Sequence, residues 1–391
     1  MKFFHISDLH LGIKLRGRSL MEDQKYILDQ IVKKAAEEKA DAIVIAGDVY
    51  DRSVPPAEAV ELFDGFVTDL MSEVENILIM VISGNHDSQE RLNIFRNILQ
   101  KDNIYMIGMP PANPDHHIEK VTVRDEEGTY NFYLLPYIMP HMVKNVLGIG
   151  KDETISYNDA VHALIRRENI NNSEVNILVS HQFYNTVGEK AETVERTDSE
   201  YITVGNIDEV KSDILELFDY AALGHIHTPG VVGNPNYRYC GSPLGYSMSE
   251  REQKKSIVCV DINENGVKNI NLIPLIPLRN IRRIQGKPED ITAQACNDYV
   301  EAEVIDGESN YDKQEIKNML RDAFPYLLNI KWIKPDNEVT AAYNKTESVI
   351  SGSEADPLTM CKMFLGEVNE DEEKMLTEVI NELNANEKGG N

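Results

Sequence analysis

The chain has 391 residues and a mass of 44.3 kDa, against roughly 100–200 residues for one domain, so two or three parts are expected. With 42% hydrophobic and 27% charged residues it has ordinary globular composition, which excludes a wholly disordered chain. No apolar run approaches the roughly 18 residues of a membrane span. Its 39 basic against 65 acidic residues give a net charge of −26. That excludes coating nucleic acid through overall basicity, but not meeting phosphate through bound cations.

Over residues 1–275 one theme recurs. A short β-branched apolar run, of strand length, stops abruptly in polar residues. The run 2–6 enters Ser7-Asp8-Leu9-His10, and 42–46 enters Gly47-Asp48. The run 77–82 enters Ser83-Gly84-Asn85-His86-Asp87, 177–179 enters Ser180-His181, and 220–223 enters Gly224-His225-Ile226-His227. Helical patterns cover 21–39, 56–71, 90–99 and 157–168. This alternation predicts an α/β fold with parallel crossovers. A hairpin over 118–124 and 130–135, around Glu126-Glu127-Gly128, makes the sheets mixed.

A second α/β unit is predicted over 277–335, with strands at 279–284, 299–305 and 329–333 and helices at 288–297 and 313–324. Residues 336–391 differ in character, with 13 acids and 4 bases. A polar linker there precedes two amphipathic stretches, one with Leu358, Cys361, Phe364 and Leu365, the other with Leu376, Val379, Ile380 and Leu383. The expected division is therefore 1–276, 277–335 and 336–391. The four cysteines, Cys240, Cys259, Cys296 and Cys361, show no disulfide or zinc spacing and read as reduced thiols of a cytoplasmic protein. Residues 1–11 are too short and polar for a signal peptide.

Five strand ends thus deliver Asp8, His10, Asp48, Asn85, His86, His181, His225 and His227. Ligands of open α/β sheets bind beyond the carboxyl ends of the strands. Carboxylate, amide oxygen and imidazole together form a mixed O/N donor set. Such a set favours Mn, Fe or Zn over Mg and suits two cations that polarise a phosphoryl group and activate water. His86, beside Asn85, can protonate a leaving oxygen. His116-His117 lies in a Pro/Asn/Asp loop and reads as solvated. His5 reads as packed within its strand, and His141 and His162 as surface or helix residues. Gly148-Ile149-Gly150 lacks the rest of a P-loop, so no ATP site is visible.

The blocks at 7–10, 47–51, 84–87, 180–181 and 224–227 resemble the calcineurin-like metallophosphoesterases. The runs 5–12, 51–56, 84–92 and Gly241-Ser242-Pro243-Leu244 through Ser249-Glu250 resemble its SbcD branch, the nuclease subunits of bacterial SbcCD complexes. The likeness is specific over about 1–275 and looser to about 335. It implies two mixed β-sheets packed face to face and flanked by helices, with a small α/β capping domain that binds DNA and a helical C-terminal tail that binds the partner. It implies two divalent metal ions, expected to be Mn2+: one on Asp8, His10, Asp48 and His227, the other on Asp48, Asn85, His181 and His225. His86 is then the catalytic histidine, with Asp51 and Asp87 orienting neighbours.

The implied activity is a manganese-dependent DNA nuclease in repair, recombination and replication, with 3′–5′ duplex exonuclease and single-strand or hairpin endonuclease action. The implied partners are DNA, an SbcC-like coiled-coil ATPase in a heterotetramer, and a second copy in a homodimer built on Leu62, Phe63, Phe66, Leu92, Phe95, Ile98 and Leu99. Two other readings suit the same residues: a generic metal-dependent phosphatase or cyclic-nucleotide phosphodiesterase, and a metal-free scaffold.

Overall fold

The computed structural model describes residues 1–150, 152–186, 209–305 and 311–333. The amphipathic stretches expected between 358 and 383, with Cys361, lie outside the described residues. Two six-stranded mixed sheets form the body. In the first, strands Lys2–Ile6, Ala42–Ala46, Leu78–Ile82 and Ile104–Ile107 run parallel. Antiparallel strands Ser256–Asn263 and Gly266–Pro274 extend it beside Lys2–Ile6. In the second, Thr129–Leu135, Val175–Ser180, Tyr220–Leu223 and Asn234–Tyr239 are parallel neighbours, with antiparallel Glu119–Arg124 and Gly230–Val232 at the edges.

Alternation along the strands explains the layering. Phe3, Val44, Met80, Phe132, Ile177 and Tyr220 share one buried cluster between the two sheets. Phe4, Ile6, Ile43 and Ile45 turn the other way, onto the helices Met21–Glu38 and Ala57–Glu73. His5 joins the inter-sheet layer: Nδ1 lies 3.1 Å from the Tyr220 hydroxyl and Nε2 3.2 Å from the Leu223 carbonyl. Burial lowers its pKa to about 3, so it is a neutral packed histidine. The helix Tyr157–Arg166 covers the second sheet's outer face, burying Val161, Leu164 and Ile165, and carries His162.

A three-stranded sheet follows, ordered Ile281–Gly286, Tyr299–Ile305, Leu327–Ile333, with helices Pro288–Thr292 and Lys313–Ala323. The Tyr299 hydroxyl donates to Asp23 at 2.7 Å, and Arg279 bonds Asp23 at 2.8 Å while lying over the Tyr326 ring. No helix among the described residues is long and apolar enough to cross a membrane.

Two expectations need correction. The helix expected over 90–99 is two single turns, Gln89–Leu92 and Arg96–Leu99, broken at Phe95 with φ 62°. Apolar spacing ran across this break because periodicity does not register one left-handed residue. Five of the residues assigned to a dimer face also belong elsewhere. Phe63, Phe66 and Leu92 are buried in the chain's own core, with Leu62 and Leu99 packed against it; on the Ala57–Glu73 helix Ala59, Phe63, Phe66 and Leu70 form the inward stripe.

Candidate metal centre

All five polar strand ends meet at one edge of the two-sheet body. Their backbones are unusual. Asp8, His10, Asp48 and His225 adopt left-handed φ values of 53°, 42°, 51° and 97°. Non-glycine residues rarely adopt these angles, and such strain gathers where side chains must be aimed. Close approach also fixes two neighbouring glycines. A Cβ at Gly47 would fall 2.2 Å from His181 Nδ1, and one at Gly84 would fall 2.1 Å from Asp48 Oδ1.

Asp8, His10 and His227 converge in one cluster, Asp8, Asp48 and His181 in an adjoining one, and His10, Asp48 and His86 in a third. Nε2 of His10 and Nε2 of His227 lie 3.1 Å apart. Two imidazole nitrogens so close must either share a proton or face a common cation. Asp48 Oδ2 lies 3.5 Å from His10 Nε2 and 3.4 Å from His181 Nε2, so one oxygen faces both groups. On the far side Asn85 Oδ1 lies 3.1 Å from His181 Nε2 and 3.0 Å from His225 Nδ1. His181 Nδ1 donates to the Ala46 carbonyl at 2.7 Å, which turns Nε2 inward. The eight residues singled out in the sequence are therefore gathered into one site.

The electrostatics suit cations. Burial pushes the Asp8 carboxyl up, with Asp48 adding to it and His181 and His227 opposing. Burial pushes Asp48 up as well, but the His181, His10 and His86 rings outweigh it and hold Asp48 well below the usual range. Burial drives His10 well below its ordinary value. Burial also lowers His181, yet Asp48 outweighs it and lifts that ring to about 9. Oxygen and nitrogen donors buried this deeply, around two carboxylates, fit two divalent cations of the borderline class.

A calcineurin-like phosphoesterase family model matches residues 1–229. The chain belongs to the calcineurin-like phosphoesterase family. Among solved structures it is similar to GAP50, the anchor in the inner membrane complex of Plasmodium, at 12% identity over 85% of this chain and 97% of that one, with TM-score 0.40. A dimetal phosphatase from Danio rerio matches at 12% identity over 71% and 99%, with TM-score 0.38. The purple acid phosphatase PPD1 from yellow lupin seeds matches at 11% over 70% and 53%, with TM-score 0.33. Family membership implies metal-dependent hydrolysis of a phosphoester.

In this phosphoesterase His86 converges with His10 and Asp48. Its backbone N–H donates to Asp48 Oδ1 at 2.9 Å, and its Nδ1 donates to the Asp51 carbonyl at 2.9 Å. The ring meets His10 edge to face at 4.7 Å between centroids. Asp51 therefore orients His86 through its backbone, while its carboxylate bonds Arg52 at 3.3 Å. Asp87 ties two loops together: its carboxylate accepts from the N–H groups of Val49, Tyr50 and Gly84 at 2.9–3.1 Å.

Other residues of the phosphoesterase site escaped residue-by-residue sequence reasoning. Glu250 Oε1 lies 3.8 Å from His227 Nδ1, and Glu250 Oε2 accepts from Lys255 at 2.7 Å. Lys255 also bonds Ser242 Oγ and the His227 carbonyl. Tyr246 donates to the Asp8 and Leu9 carbonyls at 3.1 and 2.6 Å. Such partners set the orientation of a ligating imidazole. In the sequence Ser242, Tyr246 and Glu250 are marked by the resemblance of the 241–250 block alone. Tyr137 stacks on His225 at 6.4 Å, and no sequence pattern flagged it.

Proposed function

We propose that this phosphoesterase is a manganese-dependent DNA nuclease subunit of the SbcD type, with duplex 3′–5′ exonuclease and single-strand or hairpin endonuclease action. The observation that carries this reading beyond the family is the place of the SbcD-like 241–250 block. Glu250 lies 3.8 Å from His227 and accepts from Ser242, so the block that resembles that branch backs a ring of the site. In this reading residues 277–335 form a capping domain on DNA, and 336–391 dock on an SbcC-like ATPase. Deleting 340–391 should then abolish partner binding and leave the isolated subunit's nuclease activity intact.

Asp8, His10, Asp48 and His227 would hold one cation, and Asp48, Asn85, His181 and His225 the other. When bound, such a pair supplies Lewis acidity and an activated water. The chain supplies the rest. The Nδ1–H bond from His86 to Asp51 presents Nε2 to the site, where a protonated ring can donate to the departing 3′ oxygen. The Ala46 carbonyl fixes His181, and Glu250 backs His227, so neither ring needs reorganisation when substrate arrives.

The test is Mn titration of the purified chain on linear duplex DNA beside a phosphomonoester. Mn-dependent release of nucleotides from DNA is expected. Fast phosphomonoester turnover with intact DNA would make the chain a generic phosphatase. Neither activity, with no bound cation, would make it a scaffold.

A further inference from the structure

A cavity of about 340 Å³ has none of the eight metal-centre residues in its lining and falls within the roughly 300–1,000 Å³ range of small-molecule sites. Its apolar wall includes Leu20, Leu244, Leu275 and Ile281, the first three buried. Its polar lining is dominated by cations: Arg251, Lys254, Lys255 and Arg279 face it, with Glu250 as the carboxylate among the lining groups. This is unexpected in a chain of net charge −26. Two of those cations are already engaged. Lys255 is paired with Glu250, and Arg279 with Glu22 and Asp23. Arg251 and Lys254 are exposed. Arg251 donates to the Met248 carbonyl at 3.2 Å and its one ion pair among the described residues is with the exposed Glu252, at 3.1 Å, a type of pair that contributes little. Lys254 has no ion pair or hydrogen bond among the described residues. An apolar wall and two accessible cations in one cavity match an organic phosphate with an apolar or aromatic body.

We propose that this cavity binds a small organic phosphate of the nucleoside monophosphate class, with its base against Leu244, Leu275 and Ile281 and its phosphate on Arg251 and Lys254. The cavity's inner polar wall is the Lys255–Glu250 pair that backs His227, so the ligand would touch groups that support the metal centre. The assignment does not require the DNA-nuclease reading.

The experiment is isothermal titration of the full chain in EDTA with dAMP, with inorganic phosphate and deoxyadenosine run separately. One dAMP site is expected, weaker for either fragment. Arg251→Glu and Lys254→Glu should each weaken it by about tenfold or more, the loss of one charge-assisted contact. Both residues are exposed, so both variants should fold and keep wild-type phosphoesterase turnover. Asp48→Ala should keep full dAMP affinity. Binding abolished by Asp48→Ala but kept in the Arg251 and Lys254 variants would place the nucleotide at the metal centre and overturn the proposal. No heat at millimolar dAMP would also overturn it. Either result leaves the outcome of the Mn titration on DNA unaffected, so the two readings fail separately.

Discussion

Oδ2 of Asp48 stands 3.4 Å from Nε2 of His181, and His10 reaches the same oxygen from the other side at 3.5 Å. A single carboxylate oxygen between two donor groups is the geometry of a bridge. Asp48→Ala should therefore lower cation stoichiometry below two and reduce turnover by orders of magnitude. Calorimetric Mn titration with parallel activity assays checks this. Full activity with one cation in the wild-type chain would contradict the two-cation reading.

His86 is bonded to Asp48 and Asp51 through its backbone N–H and Nδ1. His86→Ala should leave cation stoichiometry near wild type while turnover falls about 10²–10⁴-fold, the usual range for a general acid. If the variant loses a cation, His86 is a metal ligand and its role here is misassigned.

His181 gives the site a pH signature. Burial disfavours its charge, but Asp48 outweighs that and raises its pKa to about 9 in the absence of a cation. At neutral pH the ring is protonated and must lose that proton before Nε2 can ligate. Cation binding should release protons, and affinity should rise with pH up to about 9. Titrations in two buffers of different ionisation enthalpy measure the release directly. Equal heats in both buffers would show that His181 was already neutral.

The sequence made the site legible because parallel strands end where their apolar runs end. Asp8, Asp48, Asn85, His181 and His225 could each be placed on a strand end without seeing how the strands pair. Aim was not legible. The left-handed angles at Asp8, His10, Asp48 and His225 leave no mark in composition or period. Nor was the backing of His227 legible, since Glu250 and Lys255 lie more than twenty residues further along the chain and meet it only through the fold. Phe63 shows the reverse error: an apolar residue at helical spacing reads alike whether it faces the core or a second copy.

Glu250 and Lys255 are both buried and paired at 2.7 Å. Removing one partner of such a pair leaves the other charge stranded, at a cost of about 3–5 kcal/mol. Glu250→Gln should lose stability of that order in denaturant melts and weaken cation binding through His227, while the double variant Glu250→Gln/Lys255→Met should recover much of the stability. Burial raises the Glu250 carboxyl, but His227 and Lys255 outweigh it and hold it far below its ordinary value. Its contribution is therefore full above the unfolded-state carboxyl pKa of about 4.3 and drains away as pH falls toward the folded value. Acid melts of wild type and Glu250→Gln should converge at low pH. Parallel curves would show that the pair contributes no pH-dependent stability.

The apolar surface left by the break at Phe95 supports a revised dimer face. Ile94, Phe95 and Ile98 are 51%, 69% and 59% exposed. Exposed apolar groups this close together mark an interaction surface more often than scattered ones do. We propose that a second copy covers them, in place of the buried Phe63, Phe66 and Leu92. Phe95→Asp is a clean test. Asp tolerates the left-handed angle that Phe occupies there, so the turn should survive while the new charge opposes burial. Light scattering should give twice the 44.3 kDa chain mass for wild type and a single chain for Phe95→Asp, with unchanged circular dichroism. A wild-type monomer at micromolar concentration, or a variant that still dimerises, would remove this face from consideration.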